Sequence, residues 1–345
     1  MIKKFGFAAA VVLVAASAMA SNFRAADQVY VPAAGHIDSS VKTFISDITV
    51  SNVTSDPITV TVIFSNASGA QTVFRNLFTL QANEQHEFSD FVGTAQPNGL
   101  GLTNSLGQLI FNGCKSGGSC DVTDTVGCPG GTTSGECPDF RNITVESRIY
   151  SIDKGANPAT APTNGQGFSG LPWYSFVTQE QSQNDLHRVF ITGIRQNSAF
   201  HTNVGLVNAS QFSSTQFRVK LFQGATQLGS DVVTGSFAPL AAVQQSITGL
   251  FPTTNFGDGK NLWIQVTQEG TSKTSDADTN GCPTGCPGFF AYGSVLDNQT
   301  ADATTLEPEY FKAISDAQLA CLFPAQGQTV TCKSVPQLHR AVTHH

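Results

Sequence analysis

The chain has little charge and almost no methionine. Asp, Glu, Lys and Arg make up only 12% of its 345 residues, and two are methionine. This charged share is about half of that in an average soluble protein. Coiled coils, long helical bundles and basic nucleic-acid binders need more charge than this. The composition excludes those classes.

What the chain does contain is sufficient for a folded core. Hydrophobic residues make up 40% of it, and it has 25 phenylalanines and 32 glycines. Extensive disorder needs a lower apolar content, so we expect a globular protein. At this length one large domain or two ordinary domains are expected.

The N-terminus predicts export. Lys3 and Lys4 precede a short apolar stretch, and Ala18-Met19-Ala20 has the small residues of a cleavage site. We therefore expect a signal peptide over residues 1–20, cleaved after Ala20. Its apolar run is too short for a membrane span, which needs about 20 residues, and no later run is longer. The mature protein is expected to be secreted, extracellular or periplasmic.

Removal of this segment also makes the net charge of the chain more negative. Without the two lysines, 16 basic residues face 25 acidic ones, a net charge of −9. A surface of that sign repels phosphate backbones and anionic lipids. We expect no nucleic-acid partner.

Hydrophobic alternation with a period of two runs through most of the chain. In 58–64 the apolar residues Ile58, Val60, Val62 and Phe64 share one face, with Thr59 and Thr61 on the other, and 216–222 alternates likewise. Helical periodicity is almost absent before residue 305. Short alternating segments separated by Gly, Asn, Asp, Ser and Thr turns predict an all-β protein of antiparallel sandwiches.

The strand segments occur twice in the same order, which indicates a duplication. The segments that precede 58–64 and 216–222 both end in asparagine, Asn52 and Asn208, which are 156 residues apart. The predicted organisation is a signal peptide (1–20), β-sandwich domain 1 (26–152), a Gly- and Pro-rich linker (153–186), β-sandwich domain 2 (187–304) and a short C-terminal tail (305–345).

Eight cysteines in an exported chain predict disulfides, because an oxidising compartment favours the bond. They group locally, and the first four lack the short paired spacings of zinc sites. The first four cysteines and the pair Cys282 and Cys286 fall in the same predicted hairpin of each copy, where cross-links would hold loops that cannot bury much apolar surface. We expect pairing of sequence neighbours, with two other pairings open among the first four. The expected pairs are Cys114–Cys120, Cys128–Cys137, Cys282–Cys286 and Cys321–Cys332.

Three segments of the sequence are similar to those of a known group of proteins. They are Val-Tyr-Val-Pro-Ala-Ala-Gly-His at 29–36, the Ile-Thr-Val-Ser-Asn strand that ends at Asn52, and Phe-Ala-Tyr-Gly-Ser-Val-Leu-Asp-Asn-Gln-Thr at 290–300. Together they resemble the repeated immunoglobulin-like β-sandwich modules of secreted bacterial proteins. The resemblance implies two tandem immunoglobulin-like sandwiches with a surface, adhesive or accessory role, and no catalytic residue follows from it.

Two candidate sites lie in loops. Asp276, Asp278 and Asn280 match the opening of a calcium loop, but Pro287 stands where the bidentate Glu of a helical calcium loop is required. Calcium is therefore one interpretation and an ordinary turn the other; no other cofactor is expected. In the linker, Trp173 and Tyr174 could bind a ligand, although linker aromatics more often pack against a domain.

The start of the C-terminal tail has a different sequence pattern from the predicted strands. Residues 308–320 have a proline at the start and apolar residues at helical spacing, which predicts an amphipathic helix. That helix would cap the sandwich or dock onto a partner.

No local catalytic motif is present, and the few histidines are scattered. We therefore expect a non-enzymatic, exported structural or adhesive module whose partners are surface proteins or glycans. The first alternative is a carbohydrate-binding sandwich that uses Trp173, Tyr174, Trp263 or Tyr292. The second is a hydrolase on the same fold, which needs two carboxylates in a cleft; the sequence names no such pair.

Overall fold

The computed structural model describes residues 25–118, 120, 139–157, 160, 163–178, 188–210, 214–269, 288–300 and 302–310. Almost all regular structure in these residues is β-strand, and every strand pair is antiparallel. The all-β prediction is confirmed. The predicted signal peptide lies outside the described residues.

Nine strands come from the first part of the chain. They are β1 (Gln28–Asp38), β2 (Lys42–Asn52), β3 (Ile58–Asn66), β4 (Gln71–Leu80), β5 (Gln85–Phe88), β6 (Ser105–Lys115), β7 (Ile143–Asp153), β8 (Asn164–Ser169) and β9 (Leu171–Pro172). One layer has the order β4-β3-β6-β1, with β9 on the outer side of β1; the other centres on β2, which pairs with β5 and β7, and β8 follows β7. The end of β1 joins the layers by pairing with β2.

The remaining strands come from the second part. They are β10 (Val177–Thr178), β11 (Val189–Ile194), β12 (Phe200–Asn208), β13 (Gln216–Gln223), β14 (Thr226–Gln227), β15 (Val232–Val233), β16 (Ala242–Ser246), β17 (Leu262–Glu269), β18 (Gly288–Asp297), β19 (Ala303–Leu306) and β20 (Glu309–Tyr310). A four-residue helix, α1 (Ile247–Leu250), follows β16 and begins at Ser246, whose hydroxyl accepts the Gly249 N–H.

The second part repeats the pairing of the first. One layer has the order β13-β17-β11-β20, with β14 and β15 beside β13. The opposite layer has the order β16-β12-β18, with β19 and β10 beside β18. The pairing of β1 with β6 is interrupted between Val31 and Ala34, and that of β11 with β17 between Ile191 and Ile194. The last strands β9 and β20 pair with β1 and β11. The repeat seen in the sequence is therefore present in the strand order, and we call its parts the N-terminal and C-terminal halves.

Part of the predicted linker is sheet. Strands β8 and β9 extend the N-terminal half, and β10 pairs with β18. The glycines that indicated a loop mark close backbone approach instead. A Cβ atom on Gly165 would lie 2.3 Å from the Tyr150 Cβ, and one on Gly170 would lie 2.5 Å from the Val145 carbonyl oxygen.

The two halves share a buried junction. Leu240 and Phe290 of the C-terminal half belong to the same apolar core as the N-terminal sheets. The Leu240 carbonyl accepts hydrogen bonds from Ser65 Oγ (2.8 Å) and Gln108 Nε2 (2.6 Å), and both donor residues are fully buried. A second core lies between the sheets of the C-terminal half.

The predicted tail helix does not begin at Pro308. Glu309 and Tyr310 form β20 instead, since pairing with Phe190 and Val189 supplies backbone hydrogen bonds that an isolated first helical turn lacks. The tail beyond residue 310 lies outside the described residues. Within the described ranges, no helix has the length and apolar character needed to cross a membrane.

Candidate functional site

A groove of about 420 Å³ opens where the two halves meet. We call it the junction groove. The turn after β3 forms one wall, and β15, the loop that follows it, β16 and α1 form the rest. Its lining residues are Ala67, Ser68, Val232, Thr234, Gly235, Ser236, Phe237, Ala238, Val243, Gln245, Gly249 and Leu250.

The junction groove is uncharged. Buried Phe237 and Leu250 contribute apolar surface, while Thr234, Ser236 and Gln245 supply hydroxyl and amide groups. Because every lining side chain is neutral, the groove can bind by apolar contact and hydrogen bonding but has no group for acid–base catalysis.

The groove also lies at an open edge of the C-terminal sandwich. Strand β16 pairs with β12 through its whole length, from Ala242 opposite Val207 to Ser246 opposite Asn203. Along its other side, no strand in the described part of the chain pairs with it. An edge strand of this kind presents backbone N–H and C=O groups to whatever enters the groove.

A second candidate is a polar cluster around His36. The His36 Nδ1 atom lies 2.9 Å from each carboxylate oxygen of Asp90, and both side chains are about four-fifths buried. The Asp90 N–H donates to Asp47 Oδ1 at 2.9 Å, and the Tyr150 hydroxyl donates to the same oxygen at 3.1 Å. His36 and Asp90 are 54 residues apart, so no local motif could have predicted their contact.

The cluster keeps Tyr150 protonated. Burial raises the pKa of the Tyr150 phenol well above its usual range, and the hydrogen bond to Asp47 raises it further. The phenol therefore remains a donor to Asp47 across the physiological range. No hydroxyl or thiol among the described residues is hydrogen-bonded to the His36 imidazole, so the geometry of an activated nucleophile is not present there. The pair instead ties the loop after β5 to β1.

Trp173 is placed in the core. Only 5% of it is exposed, and its indole N–H donates to Asp27 Oδ1 at 2.9 Å. Nearby, Phe176 stacks on Phe290 with ring centres 5.4 Å apart, which packs the chain after β9 against the C-terminal half. The Trp173 ring is therefore not a surface platform for a sugar. The side chain of Tyr174 lies outside the described residues.

The other two aromatic candidates are also engaged. Trp263 stacks face to face on Phe222, with centres 4.0 Å apart and planes 6° from parallel. Its indole N–H donates to the Gly224 carbonyl oxygen. Tyr292 is 4% exposed and packs edge-on against Phe168 at 5.2 Å. Tyr292 therefore presents no open face to a sugar, and one face of the half-buried Trp263 ring is covered by Phe222.

Cys114 and Cys120 form a disulfide, with their Cα atoms 5.9 Å apart. This is one of the four expected pairs. It stands at the end of β6 beside an ion pair in which Arg141 Nε donates to Asp56 Oδ2 at 2.7 Å. That hydrogen bond holds the pKa of the Asp56 carboxyl below its ordinary 3.8. Lys115 Nζ lies 3.9 Å from the other Asp56 oxygen.

The remaining sequence-predicted sites cannot be placed. The cysteines at 128, 137, 282, 286, 321 and 332 lie outside the described residues, as do Asp276, Asp278 and Asn280 of the calcium motif. Within the ranges that the structure describes, no three His, Cys, Asp or Glu side chains are grouped so as to hold a metal ion.

No protein-family model matches the chain, and no curated protein matches it significantly.

Proposed function

We propose that this protein is an exported, non-enzymatic structural or adhesive module. The observation that supports this most is the junction between the halves. A shared apolar core and two buried hydrogen bonds to the Leu240 carbonyl hold them in one arrangement. Interfaces that are buried and hydrophobic hold domains fixed, whereas small polar ones let them move. A fixed body of this kind suits load-bearing or display at a surface.

Two further features support the proposal. The Cys114–Cys120 disulfide is stable in an oxidising compartment, in agreement with the predicted export. The junction groove is neutral, so it can hold a partner through shape and hydrogen bonds without an ionisable centre. The partners we propose are surface proteins or glycans.

Carbohydrate binding is the second candidate. The hydroxyl groups of Ser68, Thr234 and Ser236 and the amide of Gln245 in the groove favour a neutral polar ligand. The buried or stacked state of Trp173, Trp263 and Tyr292 weighs against the aromatic platform that was the alternative interpretation of the sequence.

Fractionation of native cells followed by cross-linking tests the proposal. We expect the mature protein in the surface or extracellular-matrix fraction, cross-linked to a macromolecule of that fraction. A cytoplasmic marker followed in parallel controls for lysis. Recovery as a free protein in the culture fluid, with no cross-linked partner, would contradict a structural or adhesive role.

A further inference from the structure

The repeat allows the junction groove to be compared with the same place in the N-terminal half. Asn52 lies opposite Ile143 and Asn208 lies opposite Phe289, each at the start of the neighbouring strand, so β2 and β12 align at these asparagines. Counting back four residues from each asparagine gives Ile48 and Val204. Phe88 lies opposite Ile48, and Gln245 lies opposite Val204. Gln245 therefore holds the position of Phe88.

The facing layer aligns in the same way. Val29 pairs with Phe111 and Val189 with Val266, and the next strands place Val62 and Val219 opposite these residues. On the edge beyond them, Phe74 lies opposite Val62, whereas Val232 lies opposite Val219. Val232 therefore holds the position of Phe74.

A third position follows from the same strands. Phe78 lies opposite Val60, two residues before Val62. In the C-terminal half, Phe217 lies two residues before Val219, and its carbonyl accepts the Thr234 N–H at 2.9 Å. Thr234 therefore holds the position of Phe78.

The two edges differ in what fills them. In the N-terminal half Phe74 and Phe88 are buried, and the ring centres of Phe78 and Phe88 are 4.5 Å apart, so phenylalanine rings close the space between the layers. In the C-terminal half Val232, Thr234 and Gln245 are half-buried and line the junction groove. The groove lies where the N-terminal half has three phenylalanine side chains.

We infer that the junction groove binds an extended β-strand of a partner polypeptide that carries large apolar side chains at alternate positions. The unpaired side of β16 would hydrogen-bond to the backbone of that strand, as in β-strand addition. Its inward side chains would take the space that Phe74, Phe78 and Phe88 take in the other half. Because the lining is uncharged, the inserted residues are neutral. The biological role of this strand binding rests on the proposed function.

A direct test uses a strand whose phenylalanine side chains fill the corresponding space in the N-terminal half. The probe is a fluorescent peptide with the sequence of residues 71–80, which carries Phe74 and Phe78. We expect saturable binding to the mature protein by fluorescence anisotropy. A matched peptide with Phe74→Ser and Phe78→Ser should bind at least about tenfold more weakly, since each lost ring removes apolar burial.

Protein variants locate the binding. Gln245→Phe restores the ring found in the N-terminal half and should close the groove, weakening binding at least about tenfold. Gln227→Phe makes the same change at an exposed strand position outside the groove and should leave binding unchanged. Thermal unfolding of each variant shows whether it folds, and Thr234→Phe serves as a second closing variant.

Equal binding of both peptides, or binding that the two closing variants do not weaken, would overturn the inference. Saturable binding of a neutral oligosaccharide in place of the peptide would also overturn it and favour the carbohydrate reading. Peptide binding is measured on purified protein and surface attachment on cells, so failure of one is distinguishable from failure of the other.

Discussion

Asn52 and Asn208 make the same hydrogen bonds at the same place in the two halves. Each side-chain amide donates to two loop carbonyls: those of Asp56 and Gln81 for Asn52, and those of Phe237 and Ala238 for Asn208. Each Oδ1 accepts the N–H two residues later, from Thr54 and Ser210. Both asparagines are buried. A single amide therefore ties each strand end to the loop that crosses it.

Removal of either amide should be costly. Asn52→Ala and Asn208→Ala each remove three hydrogen bonds of a buried amide, although the loop carbonyls keep other donors, and we expect a loss of about 2–4 kcal/mol in the free energy of unfolding. Urea unfolding of the mature protein measures it. Asn66→Ala is the matched control at an exposed turn and should cost less than about 1 kcal/mol. Equal losses at all three positions would show that the buried amides have no special role.

Losses of the two hydrogen bonds to the Leu240 carbonyl should be non-additive in the free energy of unfolding. Gln108→Leu also removes Gln108 Oε1, a buried acceptor with no hydrogen-bond partner among the described residues, so it should change the free energy of unfolding by less than about 1 kcal/mol. Ser65→Ala should cost about as little, because Gln108 still donates to the carbonyl. The double variant orphans the carbonyl and should cost more than the sum, by about 1–3 kcal/mol. A double-mutant cycle in urea measures this, and strict additivity would contradict the shared acceptor.

The Cys114–Cys120 disulfide closes a short loop. Replacing both cysteines by serine should lower the free energy of unfolding by about 2 kcal/mol, because the unfolded chain regains the entropy that the bond removed. Denaturant unfolding without reductant measures it. Ser116→Ala in the same turn is the control and should stay within about 0.5 kcal/mol. A double-serine variant as stable as the wild type would contradict this prediction.

Acid should weaken the Asp56–Arg141 pair. The hydrogen bond from Arg141 lowers the pKa of Asp56 in the folded protein, so this carboxylate contributes stability above its unfolded pKa of about 3.8. That contribution is lost as the pH falls through the lowered folded value. We expect Asp56→Asn to be destabilising at neutral pH and the difference from wild type to shrink below pH 3.8. In an Arg141→Gln background the pH-dependent difference should shrink to the part that Lys115 supplies; an undiminished difference there would assign it to another group.

The strands were predictable because their chemistry is local. The alternation in 58–64 identified β3 and its inward face, and Ile58, Val60 and Val62 are fully buried. The duplication was equally visible from the order of matching segments. Strands β8 and β9 were missed because Gly165 and Gly170 indicate turns in sequence, while their place beside Tyr150 and Val145 depends on tertiary packing.

The candidate site was less predictable, for a different reason. The junction groove lies where Val232, Thr234 and Gln245 stand in place of three phenylalanines, and only the strand register shows that Gln245 corresponds to Phe88. The His36–Asp90 contact joins residues with no common motif. For Trp173 the sequence left ligand binding open beside the favoured packing against a domain, because a buried indole with a paired N–H has the same sequence signature as an exposed one.

Strand β1 is synthesised long before the residues that it contacts. Gln28 bonds to Asn112, 84 residues later, and Asp27 accepts the Trp173 indole N–H from 146 residues away. Synthesis proceeds from the N-terminus, and contacts between distant residues form slowly. The apolar residues Val29, Tyr30 and Val31 therefore emerge from the ribosome long before the strands that will cover them. Until those strands are made, the apolar side chains of β1 stay uncovered, so this strand is a segment that a chaperone would bind during synthesis.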